Sequence, residues 1–176
     1  MTEETQLTER DYRRKFAVQA FNLVWELMEK QTRTPEENDL MLHGAHASRY
    51  HWGEVGSTLN LARGEWQISR VYAVLNRAEA ALYHAQRCLA ICEANDISDF
   101  DLAYAYEAMA RALALAERKD ESEKHIALGK EAGEKIAEQD DKDLFFGDLK
   151  TVPGYSEASQ IESQPQSHTD AEDFTT

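Results

Sequence analysis

The chain has 176 residues, a net charge of −14, 42% hydrophobic and 30% charged residues, and only 3 Pro and 8 Gly. That is enough chain for one domain and a tail, with too few turn residues for a sandwich of short strands. Its excess of acid argues against nucleic acid and anionic membrane surfaces as partners, because both are held by clustered Lys and Arg.

The opening "MTEETQLTERDYRRK" is polar throughout, and no apolar run reaches the roughly 20 residues of a membrane span. A capping box at Thr8-x-x-Asp11 predicts the first helix, whose apolar stripe is Phe16, Ala20, Val24, Leu27 and Met28, widened by Phe21 and Trp25. "TRTPEEND" predicts a second start, with Thr34 as cap and Pro35 in the first turn. This helix is expected to run to His51 or Trp52, where "GEVGS" breaks it. Ser57 caps a third helix running to Leu75, and Asn76 stands where a left-handed residue closes a helix. A fourth helix covers 79–94. Ser98-x-x-Asp101 reads as another capping box, opening a fifth helix to Glu117. Asp120-x-x-Glu123 opens a sixth to Glu138, and "DKDLFFGDL" predicts a short seventh. The Ser/Gln/Glu/Asp-rich stretch after Pro153 has no Lys or Arg and no apolar period, the composition of a disordered acidic tail.

Short connections make consecutive helices antiparallel neighbours, so the expected fold is all-α, three stacked helix hairpins. Two segments align without gaps at an offset of 41 residues: "RGEWQISRVYAVLNRAEAALYHAQRCLAI" from Arg63 and "YAYEAMARALALAERKDESEKHIALGKEA" from Tyr104. Ser69 matches Ala110, Tyr72 matches Leu113, and Ala81 matches Ser122. The pattern resembles the tetratricopeptide repeat family: Ser69, Tyr72, Ala81, Ala85 and Cys88 occupy its signature places in one copy, and Ala110, Leu113, Ser122, Ile126 and Gly129 in the other. The period exceeds the family's 34, as in variants found in bacterial regulators, and the family's Pro after the second helix is missing. The resemblance implies a short right-handed solenoid. Residues 1–56 form an atypical capping hairpin, 57–150 the repeats with a short last helix, and 151–176 the tail.

The resemblance also implies a protein-binding groove lined by the first helix of each hairpin. Arg63, Trp66 and Arg70 occupy the groove positions of one copy, Tyr104, Glu107 and Arg111 those of the other. Arginine forks and an aromatic face suit carboxylates, so the expected occupant is an acidic or C-terminal segment of a protein or peptide partner. The chain's own acidic tail is a competitor for that place. Two other function classes stay open. Asp39, His43 and His46, with His51 if the helix unwinds early, form a stripe that Zn or Fe would use in a metal-binding protein or metal-dependent enzyme, completed by Glu26 or Glu29. A homo-oligomeric scaffold, such as a homodimer, would pair copies through "DLFFGDL". "RYHW" (Arg49, Tyr50, His51, Trp52) is a secondary contact patch.

Cys88 and Cys92 lie one turn apart, a spacing that rarely has disulfide geometry, and Cys88 holds a place that wants a small residue. The cytoplasm is the expected compartment. No nucleophile turn or phosphate loop is present, and no catalytic residue or cofactor is assigned.

Overall fold

A computed structural model describes residues 7–156. Among them the chain is all-α, with seven helices: α1 (Glu9–Met28), α2 (Pro35–Val55), α3 (Thr58–Val74), α4 (Ala78–Ala94), α5 (Asp99–Leu115), α6 (Lys119–Gly133) and α7 (Gln139–Leu149). None is long and apolar enough to cross a membrane.

Local chemistry sets three of the starts. Thr8 and Asp11 exchange hydrogen bonds in a capping box, as do Thr34 and Glu37, followed by Pro35, and Ser57 and Asn60. Each satisfies amide groups that a helix leaves without partners. The box expected at Ser98 does not form: Ser98 makes no side-chain cap bond, and the Asp101 carboxylate is taken by Arg63 of α3. α6 likewise opens without a side-chain cap, one residue before Asp120. Helix ends shift too. α2 continues through His51 and Trp52 to Val55, whereas α5 stops at Leu115 and α6 at Gly133.

The helices pair as α1/α2, α3/α4 and α5/α6, and the same device links the two helices of each pair. A serine hydroxyl donates to a backbone carbonyl of the facing helix: Ser48 to Ala17 at 2.9 Å, Ser69 to Ala81 at 2.8 Å, and Ser122 to Ala110 at 2.8 Å. All three serines are buried, where an unpaired hydroxyl would cost more than the bond gains. In the α3/α4 pair the serine is on the first helix. In α5/α6 it is on the second, with alanine in the mirrored place. The N-terminal hairpin, whose sequence fits the repeat poorly, makes the same contact.

The 41-residue offset also recurs in the turns. Asn76 and Glu117 both have left-handed backbones, with φ of 57° and 60°. After each, an amide reaches back to the last turn, Arg77 to the Tyr72 carbonyl and Arg118 to that of Leu113, both at 2.9 Å. This Schellman closure gives the carbonyls at the helix end their partners.

α5 lies centrally, against α3, α4, α6 and α7. Its buried alanines, Ala103, Ala105, Ala108, Ala110 and Ala112, let four neighbours approach one axis. α7 covers the open side of the last hairpin, burying Phe145 and Leu149 in a cluster with Tyr104, Ile126 and Ile136. The packed body passes the expected boundary at residue 151. Val152 is buried in that cluster, and Lys130 Nζ sits 4.5 Å over the ring of Tyr155. The remainder of the expected tail, 157–176, lies outside the described residues.

Gly133 makes room for α7. A Cβ there would stand 2.4 Å from Phe145 Cε1 and 2.6 Å from its Cδ1. Because Phe145 is wholly buried, the ring has nowhere to go. Gly133→Ala is expected to cost about 1–3 kcal/mol, the usual toll of overpacking, measured as a lower urea midpoint with an unchanged slope.

Candidate functional site

A cavity of about 600 Å³ opens where α1, α3, α5 and α7 meet. Its walls are aromatic. Phe21 and Trp25 come from α1, Trp66 from α3, and Phe100 and Tyr104 from α5, while Leu144 of α7 stands at the edge, 57% exposed. The rings form a continuous run. Trp25 and Trp66 lie 5.6 Å apart, Trp66 and Tyr104 5.4 Å, and Tyr104 and Phe100 4.6 Å between centroids. A concave, largely apolar site with a few charged groups at its edge is the usual form of a binding pocket.

Three of the groove residues expected from the sequence, Arg63, Trp66 and Tyr104, do line this cavity. The other three, Arg70, Glu107 and Arg111, form an ion cluster that braces the helices. Glu107 is wholly buried, and one of its oxygens accepts from Arg70 Nη1 at 3.1 Å and Arg111 Nε at 2.7 Å. Arg111 also donates to the Asp148 carbonyl at 3.2 Å and to the Thr151 hydroxyl at 2.8 Å, tying α5 to the end of α7.

The expected cationic character is therefore corrected. Arg63 makes a two-pronged pair with Asp101, at 2.6 and 2.9 Å, and Arg70 and Arg111 are committed to Glu107. Against Arg63, the cavity lining carries Asp101, Asp141 and Asp148, a balance of −2. Tyr104 donates its hydroxyl to Asp148 at 2.9 Å. Burial, then that carboxylate, pushes the Tyr104 phenol far above its ordinary range, so it stays a neutral donor.

A second polar cluster lies between α2, α3 and α4, around Glu65. This buried carboxylate accepts from Arg49 Nε at 3.0 Å and Arg87 Nε at 3.1 Å, with His84 Nδ1 at 2.7 Å. Burial alone would raise its pKa, but the hydrogen bonds from His84 and Arg87 and the charge of Arg49 hold it below the ordinary carboxylate range. Tyr72 stacks on His84 with centroids 5.6 Å apart, and its hydroxyl meets His46 Nε2 at 3.1 Å. The sequence offers no periodic signal for this cluster, since its members come from three helices.

The histidine stripe is not assembled into a ligand set. Asp39 and His43 are exposed, His46 turns to Tyr72, and His51 packs beside Phe16 at 5.7 Å and Tyr50 at 5.4 Å. Among the described residues no three His, Cys, Asp or Glu side chains come together as a metal site. The "RYHW" patch is divided as well. Arg49 turns inward to Glu65, whereas Trp52 lies under Arg14 and Tyr50 is 60% exposed. Cys88 and Cys92 are both free and buried. A hydrogen bond with Cys92, then burial, pushes the Cys88 thiol up. In "DLFFGDL", Phe145 is buried and Phe146 packs against the same cluster, which leaves only Leu144 of the three large apolar side chains before Gly147 at the surface.

Two outcomes follow from these clusters. Glu107→Ala leaves Arg70 and Arg111 facing an emptied interior site. It is expected to cost about 3 kcal/mol, the low end for a broken buried pair because Arg111 keeps its carbonyl acceptors. Glu107→Gln, which keeps an acceptor, is expected to cost less, both by urea denaturation. At the second cluster, partial desolvation of the otherwise exposed His46 ring against Tyr72 and His84, and then the charge of His84, lower its pKa below 6.5. The unfolded chain then binds the proton more readily. His46 therefore adds stability above that pH, which is lost as pH falls through the lowered folded value. His46→Gln should flatten the fall in urea midpoint between about pH 7 and pH 5.5, while the loss tied to Glu65, below about pH 4.5, remains. No family model matches the chain, and comparison with curated proteins and with solved structures found no match.

Proposed function

We propose that this chain is a tetratricopeptide-like interaction module, its three hairpins stacked as a short right-handed solenoid, that holds a segment of a protein partner in the cavity between α1, α3, α5 and α7. The observation that carries this reading is the cavity itself. It is about 600 Å³, walled by five aromatic side chains, and lined by the first helix of every hairpin together with α7, with Cys88 of α4, among the described residues, the one lining residue from a second helix. In a stack of hairpins that row of helices forms the inner face, where repeat proteins receive their ligands. The rings offer large, rigid contact area at low entropic cost, the property that makes Trp and Tyr binding anchors.

Phe21 and Leu144 test this with little risk to the fold. Both line the cavity, and neither belongs to a buried cluster. Wild-type protein is expected to enrich members of a displayed random peptide library. Phe21→Ala/Leu144→Ala should bind the enriched peptides about tenfold or more weakly by fluorescence polarisation, with unchanged circular dichroism. Equal affinity in a folded double variant would remove the cavity as the binding site.

A further inference from the structure

Resting on that reading, we infer that the occupant of the cavity is a basic segment, one that places an Arg or Lys side chain over the aromatic run and beside the two carboxylates of α7, Asp141 and Asp148. The first argument is the charge left after internal pairing. Asp101 is satisfied by Arg63 through two hydrogen bonds. Among the described residues, Asp148 receives only the neutral hydroxyl of Tyr104 on its carboxylate, which leaves its negative charge in place. Asp141 is exposed and makes no hydrogen bond or ion pair with any described residue. Among the described residues the two carboxylates at the α7 edge of the cavity thus lack a direct cationic partner; Arg63, already paired with Asp101, acts on Asp141 only through space.

The second argument is the floor between them. Trp25, Trp66, Tyr104 and Phe100 present consecutive rings, whose negative faces attract a cation most strongly where water is excluded. A guanidinium or ammonium there gains from ring and carboxylate together, and its aliphatic stem lies along apolar wall. An acidic segment would meet two like charges and no unpaired arginine. The tail of this chain carries five acidic residues after Ser156 and no Lys or Arg, so charge sets it against this cavity. The net charge of −14 adds a long-range field that favours cationic partners during encounter.

The test uses the full chain and four sets of immobilised peptides with randomised flanks and a central Arg, Lys, Gln or Glu. Retention is expected to favour the Arg and Lys sets and to fall as salt is raised, because the rim charges are screened. Asp141→Asn/Asp148→Asn keeps the acceptor for Tyr104 and the backbone carbonyl that Arg111 uses. It should weaken the Arg and Lys peptides about tenfold and leave the Gln set unchanged. Preference for the Glu set, or equal binding of Arg peptides by the double variant, would overturn the basic occupant and leave the cavity as a binding site. Retention of no set would overturn both readings. Loss of all sets equally in the double variant would assign the carboxylates a structural role and overturn the charge inference alone.

Discussion

The carboxylate of Glu107 is the contact on which the placing of α3, α5 and α7 against one another depends. It is a full charge inside the protein, stable there only because Arg70 of α3 and Arg111 of α5 donate to it. Arg111 spends its remaining donors on the end of α7. Three helices distant in sequence are thereby set at fixed spacing, and the rings of Trp66 and Tyr104 stand on that frame at 5.4 Å. The hairpins alone would leave that spacing to apolar packing, which tolerates sliding. A buried charge with two cationic partners does not, since any displacement leaves an ion unpaired.

Pairing of this kind explains why the cavity is acidic although the sequence places arginines at groove positions. Arginines in groove positions promise a cationic surface only if nothing in the protein uses them. Here each meets a carboxylate at the same level of a neighbouring first helix: Arg63 with Asp101, and Arg70 with Glu107. What remains is set by α7, an element outside the repeat, which brings Asp141 and Asp148 to the rim. The short last helix therefore closes the apolar side of the final hairpin and also decides the sign of charge at the cavity's rim.

Much of the fold was legible because it is written in short-range chemistry. Thr8, Thr34 and Ser57 announce their helices within three residues. Asn76 announces its turn alone, and the small residues at 69, 81, 110 and 122 announce close helix approach. The errors share a cause. Asp101 looks like a capping residue when only its neighbours are considered, yet a guanidinium 38 positions away offers two charge-assisted bonds, and these win over a single amide. His43 and His46 share a face of α2, but the ring of Tyr72 on α3 gives His46 a partner that no helical wheel displays. Glu65, on which Arg49, His84 and Arg87 converge, has no distinguishing pattern at all. Periodicity reports which side of a helix is buried and carries nothing about which polar group waits there.

The serine contacts bear on how such a chain could have diversified. The bond between facing helices is made from the first helix in one hairpin, Ser69 to Ala81, and from the second in the other two, Ser122 to Ala110 and Ser48 to Ala17. A hydroxyl and a methyl group exchange places across the interface, and the distance stays within 0.1 Å. The geometry thus accepts the donor from either helix of the pair. A duplicated unit can drift from one solution to the other through a form with serine on both sides, without ever passing through an unlinked hairpin. Identity at a single aligned column would then miss the relationship between copies, whereas the pair of columns taken together preserves it.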